Sequence, residues 1–141
     1  MAKTFEEQLR EAFRLTSIDL LPEQEAWELR TRWEATFLRS RSEPLAAWDF
    51  DWLRLPARPM GASVGDRAEQ DFRALLPVQG IVWCSDGLTD HGAFRVVIEE
   101  LLAPCIGTDL TFVAEDFSST LCLAHGAGFG PCFALPEVEP R

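Results

Sequence analysis

The stretch Leu110-Thr111-Phe112-Val113-Ala114-Glu115-Asp116-Phe117-Ser118-Ser119-Thr120-Leu121-Cys122-Leu123 decides the fold. Two strand-like runs, Leu110 to Glu115 and Thr120 to His125, are split by a short polar link, Asp116 to Ser119. That order predicts two strands joined as a hairpin. On the N-terminal side, Val78 to Cys84 holds Ile81-Val82-Trp83, a β-branched and aromatic run suited to a buried strand. On the C-terminal side, Gly126 to Gly130 reads as a turn. Pro131 to Leu135 reads as a last edge strand, where proline is tolerated.

Further upstream the spacing becomes helical. Thr4-Phe5-Glu6-Glu7 is a capping box, and Phe5, Leu9, Ala12 and Phe13 recur behind it, predicting a helix over residues 4–16. Asp19 to Leu21 is read as a linker. Pro22 suits the first turn of a second helix, which the stripe Ala26, Leu29, Trp33 and Phe37 carries to residue 41. Trp27 flanks that stripe and is assigned, with Trp33 and Trp83, to the core. Glutamates near its start and Arg39 and Arg41 near its end complement the helix dipole. Residues 47–55 alternate, with Trp48, Phe50 and Trp52 against Asp49 and Asp51, which predicts a half-buried strand. Asp66 reads as the cap of a third helix carried by Ala68, Phe72, Leu75 and Leu76 and stopped by Pro77. Asp86-Gly87 is a turn signal. From Thr89 or Asp90, the residues Ala93, Val96, Val97, Leu101 and Leu102 predict a fourth helix ended by Pro104. Helices in the first half and strands in the second predict an α+β fold. The expected architecture is an antiparallel sheet of about four to five strands with helices packed on one face.

The chain has 141 residues, with 23 acidic and 13 basic side chains and a net charge of −10. The length suits a single domain, 1–141, with a helical part (1–45), a strand-rich part (78–135) and a tail (136–141). The acidity disfavours a nucleic-acid partner. Charges break every apolar run, so no membrane-spanning helix is expected. Met1 to Glu7 lacks the apolar core of a secretory signal, which predicts a cytoplasmic protein whose four cysteines are reduced and mostly buried. Residues 76–141 hold 2 basic and 9 acidic side chains. Asp86, Asp90, Glu115 and Asp116 fall in turns there. Clustered, they would make a negative patch that captures a cationic partner.

Few residues offer chemistry. His91, Cys122 and His125, with Asp90, form the one set with nucleophilic potential, and no motif spacing specifies it. Cys122-x-x-His125 invites a metal, but on a strand the two positions point to opposite faces. The chain also has no Cys-x-x-Cys pair. Gly126-Ala127-Gly128-Phe129-Gly130 lacks both the helix that follows a dinucleotide turn and the Lys-Ser/Thr of a phosphate loop. No metal or cofactor is therefore implied. Trp48 and Trp52, if exposed beside Asp49 and Asp51, would anchor a protein partner or a homodimer.

The order Gly80-Ile81-Val82-Trp83-Cys84, then Asp109 to Ser118, Thr120-Leu121-Cys122-Leu123, His125 and Gly130-Pro131-Cys132-Phe133 resembles the C-terminal part of small uncharacterised bacterial proteins. Those proteins end in an acidic strand, a threonine strand, a histidine and a Gly-Pro-aromatic-Phe run. This chain departs from them at Ser119, Gly126 and Cys132. Those proteins have no assigned enzyme activity. The resemblance implies an immunity-type or accessory partner of a bacterial toxin. Residues and resemblance together lead to a non-catalytic acidic module that binds a basic protein through Asp86, Asp90, Glu115, Asp116, Trp48 and Trp52. The alternative is a small enzyme or small-molecule binder using His91, Cys122 and His125.

Overall fold

Thr4 caps the first helix as its spacing requires. Its Oγ accepts from the Glu7 N–H at 3.1 Å and donates to the Glu7 carboxylate at 3.2 Å, opening α1 (Phe5–Ala12). The computed structural model describes residues 4–37, 63–84, 92–103, 109–123 and 131–136. The remaining elements are β1 (Phe13–Leu20), α2 (Glu23–Phe37), β2 (Ser63–Val64), α3 (Asp66–Arg73), β3 (Val78–Cys84), β4 (Ala93–Leu101), β5 (Leu110–Ala114), β6 (Thr120–Leu123) and β7 (Cys132–Ala134). They make one antiparallel sheet in the order β1-β4-β3-β5-β6-β7-β2.

The fold is α+β, as the segregated pattern predicts, but the sheet has seven strands and helices cover both of its faces. The reason lies in the central strands. Val82 and Cys84 point to one side of β3, Ile81 and Trp83 to the other, and all four are buried. A sheet that is apolar on both faces needs a cover on each. On one face, Phe5 of α1 meets Phe94 at 6.1 Å and Phe72 of α3 meets Phe112 edge-on at 5.5 Å. On the other, Trp33 of α2 stands edge-on to Trp83 at 5.9 Å. Gly80 lets β3 and β5 approach. A Cβ there would collide with the Val113 carbonyl and lie 2.5 Å from the Phe112 ring.

The hairpin stands as read, with β5 and β6 joined through a turn at 115–119. Two segments read otherwise are strands. The first helix, expected to reach 16, stops at Ala12, and Phe13–Leu20, including Asp19 and Leu20 of the expected linker, becomes β1 along β4. The fourth helix is instead β4: Phe94, Val96 and Ile98 alternate onto the α1/α3 face, a period of two that aromatic and β-branched side chains favour. The expected edge strand at 131–135 is β7, flanked by β2 rather than by solvent. Pro22 lies just before α2, its carbonyl accepting from the Ala26 N–H at 3.0 Å. Asp66 lies inside α3, where Gly65, at φ 64°, takes the cap position. Leu75 is exposed rather than part of the α3 stripe.

β1 carries two adjacent register shifts, between Arg14 and Leu15 and between Leu15 and Ser17. Its pairing with β4 skips Thr16 on one strand and Glu99 on the other, and the Thr16 hydroxyl donates to the Glu99 carboxylate at 3.3 Å. Phe13, Leu15 and Ile18 consequently all pack on the α1/α3 face.

Residues 38–41, the strand expected at 47–55, the turn at 85–91, Cys105, the glycines at 126–130 and the tail at 137–141 lie outside the described residues.

Candidate interaction surface

The turn after β5 holds its acids in place. The Ala114 N–H donates to the Ser119 carbonyl at 3.0 Å and the Phe117 N–H to the Ala114 carbonyl at 2.8 Å. Phe117 takes a positive φ of 58°, buries its ring, and receives the Arg32 guanidinium of α2 4.0 Å from its centroid. The Ser118 N–H donates to Asp116 Oδ1 at 3.0 Å. Hydrogen bonds from Ser118, its side chain foremost, keep the exposed Asp116 carboxyl below the usual carboxylate range.

Glu115 is not unmatched. Arg95 Nε donates to its two carboxylate oxygens at 3.1 and 3.2 Å, and Arg95 Nη2 also reaches Glu25 Oε1 of α2 at 3.4 Å. The bond to Glu115 is the main reason the guanidinium is held still more firmly protonated than usual. Asp19 of β1 stands opposite Arg95 in the ladder. Two carboxylates thus bind one guanidinium, with Asp19 in register beside it and Asp116 one residue along. The expected uncompensated patch is corrected at Glu115. The neighbourhood remains acidic, because one arginine meets several carboxylates.

Trp27 belongs to the surface, not the core. The buried stripe of α2 is Ala26, Arg30, Trp33 and Phe37, and Trp27 lies about 100° round the helix from Ala26. It is 44% exposed, the one exposed large aromatic among the described residues. Glu23 and Glu34 share its side of the helix at i−4 and i+7. Arg30, unforeseen as a buried residue, stands 5.9 Å from both the Trp33 and Trp83 ring centroids and pairs with Glu34 at 3.5 Å.

A shallow groove of about 550 Å³ runs between α3 and the β2–β7 edge, lined by Ser63, Arg67, Asp71, Leu75, Phe133 and Leu135. The Ser63 hydroxyl donates to Asp71 at 2.7 Å and Arg67 Nε donates at 3.1 Å. Both lower the Asp71 carboxyl, Ser63 most. These bonds tie β2 to α3.

Of the acids and tryptophans expected to bind a partner, Glu115 and Asp116 are described, whereas Asp86, Asp90, Trp48 and Trp52 lie outside the described residues. Of the alternative set, His91 and His125 also lie outside them. Cys122 is fully buried among the α2-side core residues, its Sγ 3.7 Å from the Thr111 hydroxyl. Cys84, Cys122 and Cys132 are all buried, and burial pushes the Cys132 thiol up. Among the described residues no three His, Cys, Asp or Glu side chains gather as metal ligands. No described helix is long and apolar enough to cross a membrane. The geometry defines an acidic α+β protein with an exposed tryptophan on α2. No protein-family model, curated protein or solved structure matches the chain.

Proposed function

We propose that the chain is a non-catalytic protein-binding module of the cytoplasm, an immunity-type or accessory inhibitor of a basic partner. The observation that carries this reading is Trp27, an exposed tryptophan with glutamates on its side of α2, on the helix whose Glu25 joins the Arg95–Glu115 cluster. Carboxylates steer a cationic surface inward, and a tryptophan on a rigid helix supplies the apolar anchor. Inhibition would follow from occlusion, with no covalent step. The enzyme alternative has less support, because Cys122 is sealed in the core.

The test is co-purification of the chain with the products of adjacent genes over a salt series. Capture should weaken as ionic strength rises, and Trp27→Ala should weaken it at every salt concentration. Capture indifferent both to salt and to Trp27→Ala overturns the proposal.

A further inference from the structure

Among the described residues no strand pairs with the outer edge of β1. Its sequence, Phe13-Arg14-Leu15-Thr16-Ser17-Ile18-Asp19-Leu20, contains neither proline nor lysine, two common blockers of free edges. Read from either end, it has the same chemistry: an apolar residue, a charge, an apolar residue and a hydroxyl. The two charges are of opposite sign.

We infer that β1 pairs antiparallel with β1 of a second copy of this chain, centred on Ser17. A two-fold axis perpendicular to the sheet sets Arg14 of each copy opposite Asp19 of the other, Leu15 opposite Ile18, and Phe13 opposite Leu20. The skipped Thr16 makes this register consistent. In an unbroken strand, residues 14 and 19 point to opposite faces and cannot meet. Because the ladder skips Thr16, Phe13, Leu15 and Ile18 share the α1/α3 face, and Arg14 and Asp19 share the other. A bulge usually protects an edge. Here it creates the symmetry. Leu20 supports the same pairing. It is 66% exposed, the most exposed of the large apolar side chains described, and the register sets it at the end of the shared ladder, opposite the backbone of Phe13, whose own ring is buried within its copy. The result is one continuous sheet through two molecules.

Sedimentation of the full chain, from low micromolar to several hundred micromolar, tests this. The wild type should pass from monomer to dimer. Arg14→Glu or Asp19→Arg alone should weaken the dimer at least about tenfold, since each turns two attractive crossings into two repulsive ones. An equimolar mixture of the two single variants, and the double variant R14E/D19R, should recover dimerisation. Either reversal also disturbs a neighbour within the chain, Glu100 for Arg14 and Arg95 for Asp19. The mixture keeps both disturbances, so its recovery reads the intermolecular pairing alone. Leu20→Lys, at a side chain the core does not need, should weaken the dimer as well. A monomer at every concentration overturns the inference. So does a dimer that ignores all of these substitutions, or single variants that stay folded by circular dichroism yet do not recover on mixing.

Discussion

Replacing Thr120 by Val should destabilise the protein far more than the loss of one oxygen suggests. The Trp33 indole N–H of α2 donates to Thr120 Oγ at 2.9 Å, and that hydroxyl donates to the Phe112 carbonyl at 2.6 Å. Both side chains are fully buried, so water cannot substitute. Valine matches threonine in shape and removes both bonds. The indole N–H is then stranded, at about 1–3 kcal/mol, and a net hydrogen bond to Phe112 of about 1 kcal/mol goes with it. We expect a total of about 2–4 kcal/mol, a large share of the roughly 5–15 kcal/mol that holds a domain together. Urea unfolding measures it as a lower midpoint with an unchanged slope. Trp33→Phe costs packing against Trp83 but also removes the stranded donor. The double variant should therefore cost less than the sum of the singles by about 1 kcal/mol. A Thr120→Val loss below about 0.5 kcal/mol, or strict additivity with Trp33→Phe, would refute the reasoning.

Three further outcomes follow from the same packing. Ser119 is buried with its hydroxyl unpartnered among the described residues, so Ser119→Ala should leave stability unchanged or raise it by up to about 1 kcal/mol in the same urea assay. Gly80→Ala should cost about 3 kcal/mol or prevent folding, because the Val113 carbonyl and the Phe112 ring occupy the space a methyl needs, and soluble yield and thermal midpoint both report it. Asp71 is held below its ordinary value of 3.8 by Ser63 and Arg67, so its contribution is complete above that value and is lost as pH falls through the lower folded one. The gap in thermal midpoint between wild type and Asp71→Asn should accordingly be widest near neutrality and close below pH 3.8.

The hairpin and β3 were legible because their apolar runs are short and bounded by turn residues. β4 was not, and the ambiguity is physical. Ala93, Val96, Val97 and Leu101 fit a helix face, while Phe94, Val96 and Ile98 fit a strand face. Both sets are apolar, so neither period stands out. β1 was hidden differently. Phe13 satisfies the repeat of α1 and also begins the strand, and the skipped Thr16 breaks the alternation that would have exposed Leu15 and Ile18 as one face. Of the surface, the acids were countable in the sequence but their compensation was not. Arg95 and Glu115 meet across β3, which separates their strands, and only strand order reveals that they are neighbours. Trp27 was countable in the sequence as well, but its exposure depended on which side of α2 met the sheet.

Arg95 orders the acidic side rather than cancelling it. Its pairs with Glu25 and Glu115 are between about a third and two-fifths exposed, so they add little to stability after solvent screening. They do fix two carboxylates, and with them the β5–β6 turn, relative to α2. Side chains already fixed lose less entropy when a partner arrives. Asp19 links this side to the proposed dimer, being in register with Arg95 within the chain and with Arg14 across the two-fold. A two-fold perpendicular to the sheet keeps the α2 layers of both copies on one side. The dimer would then present two Trp27 anchors and two acidic clusters on a single broad face, a bivalent surface. A basic partner that reached both halves would gain avidity without any new contact within either half.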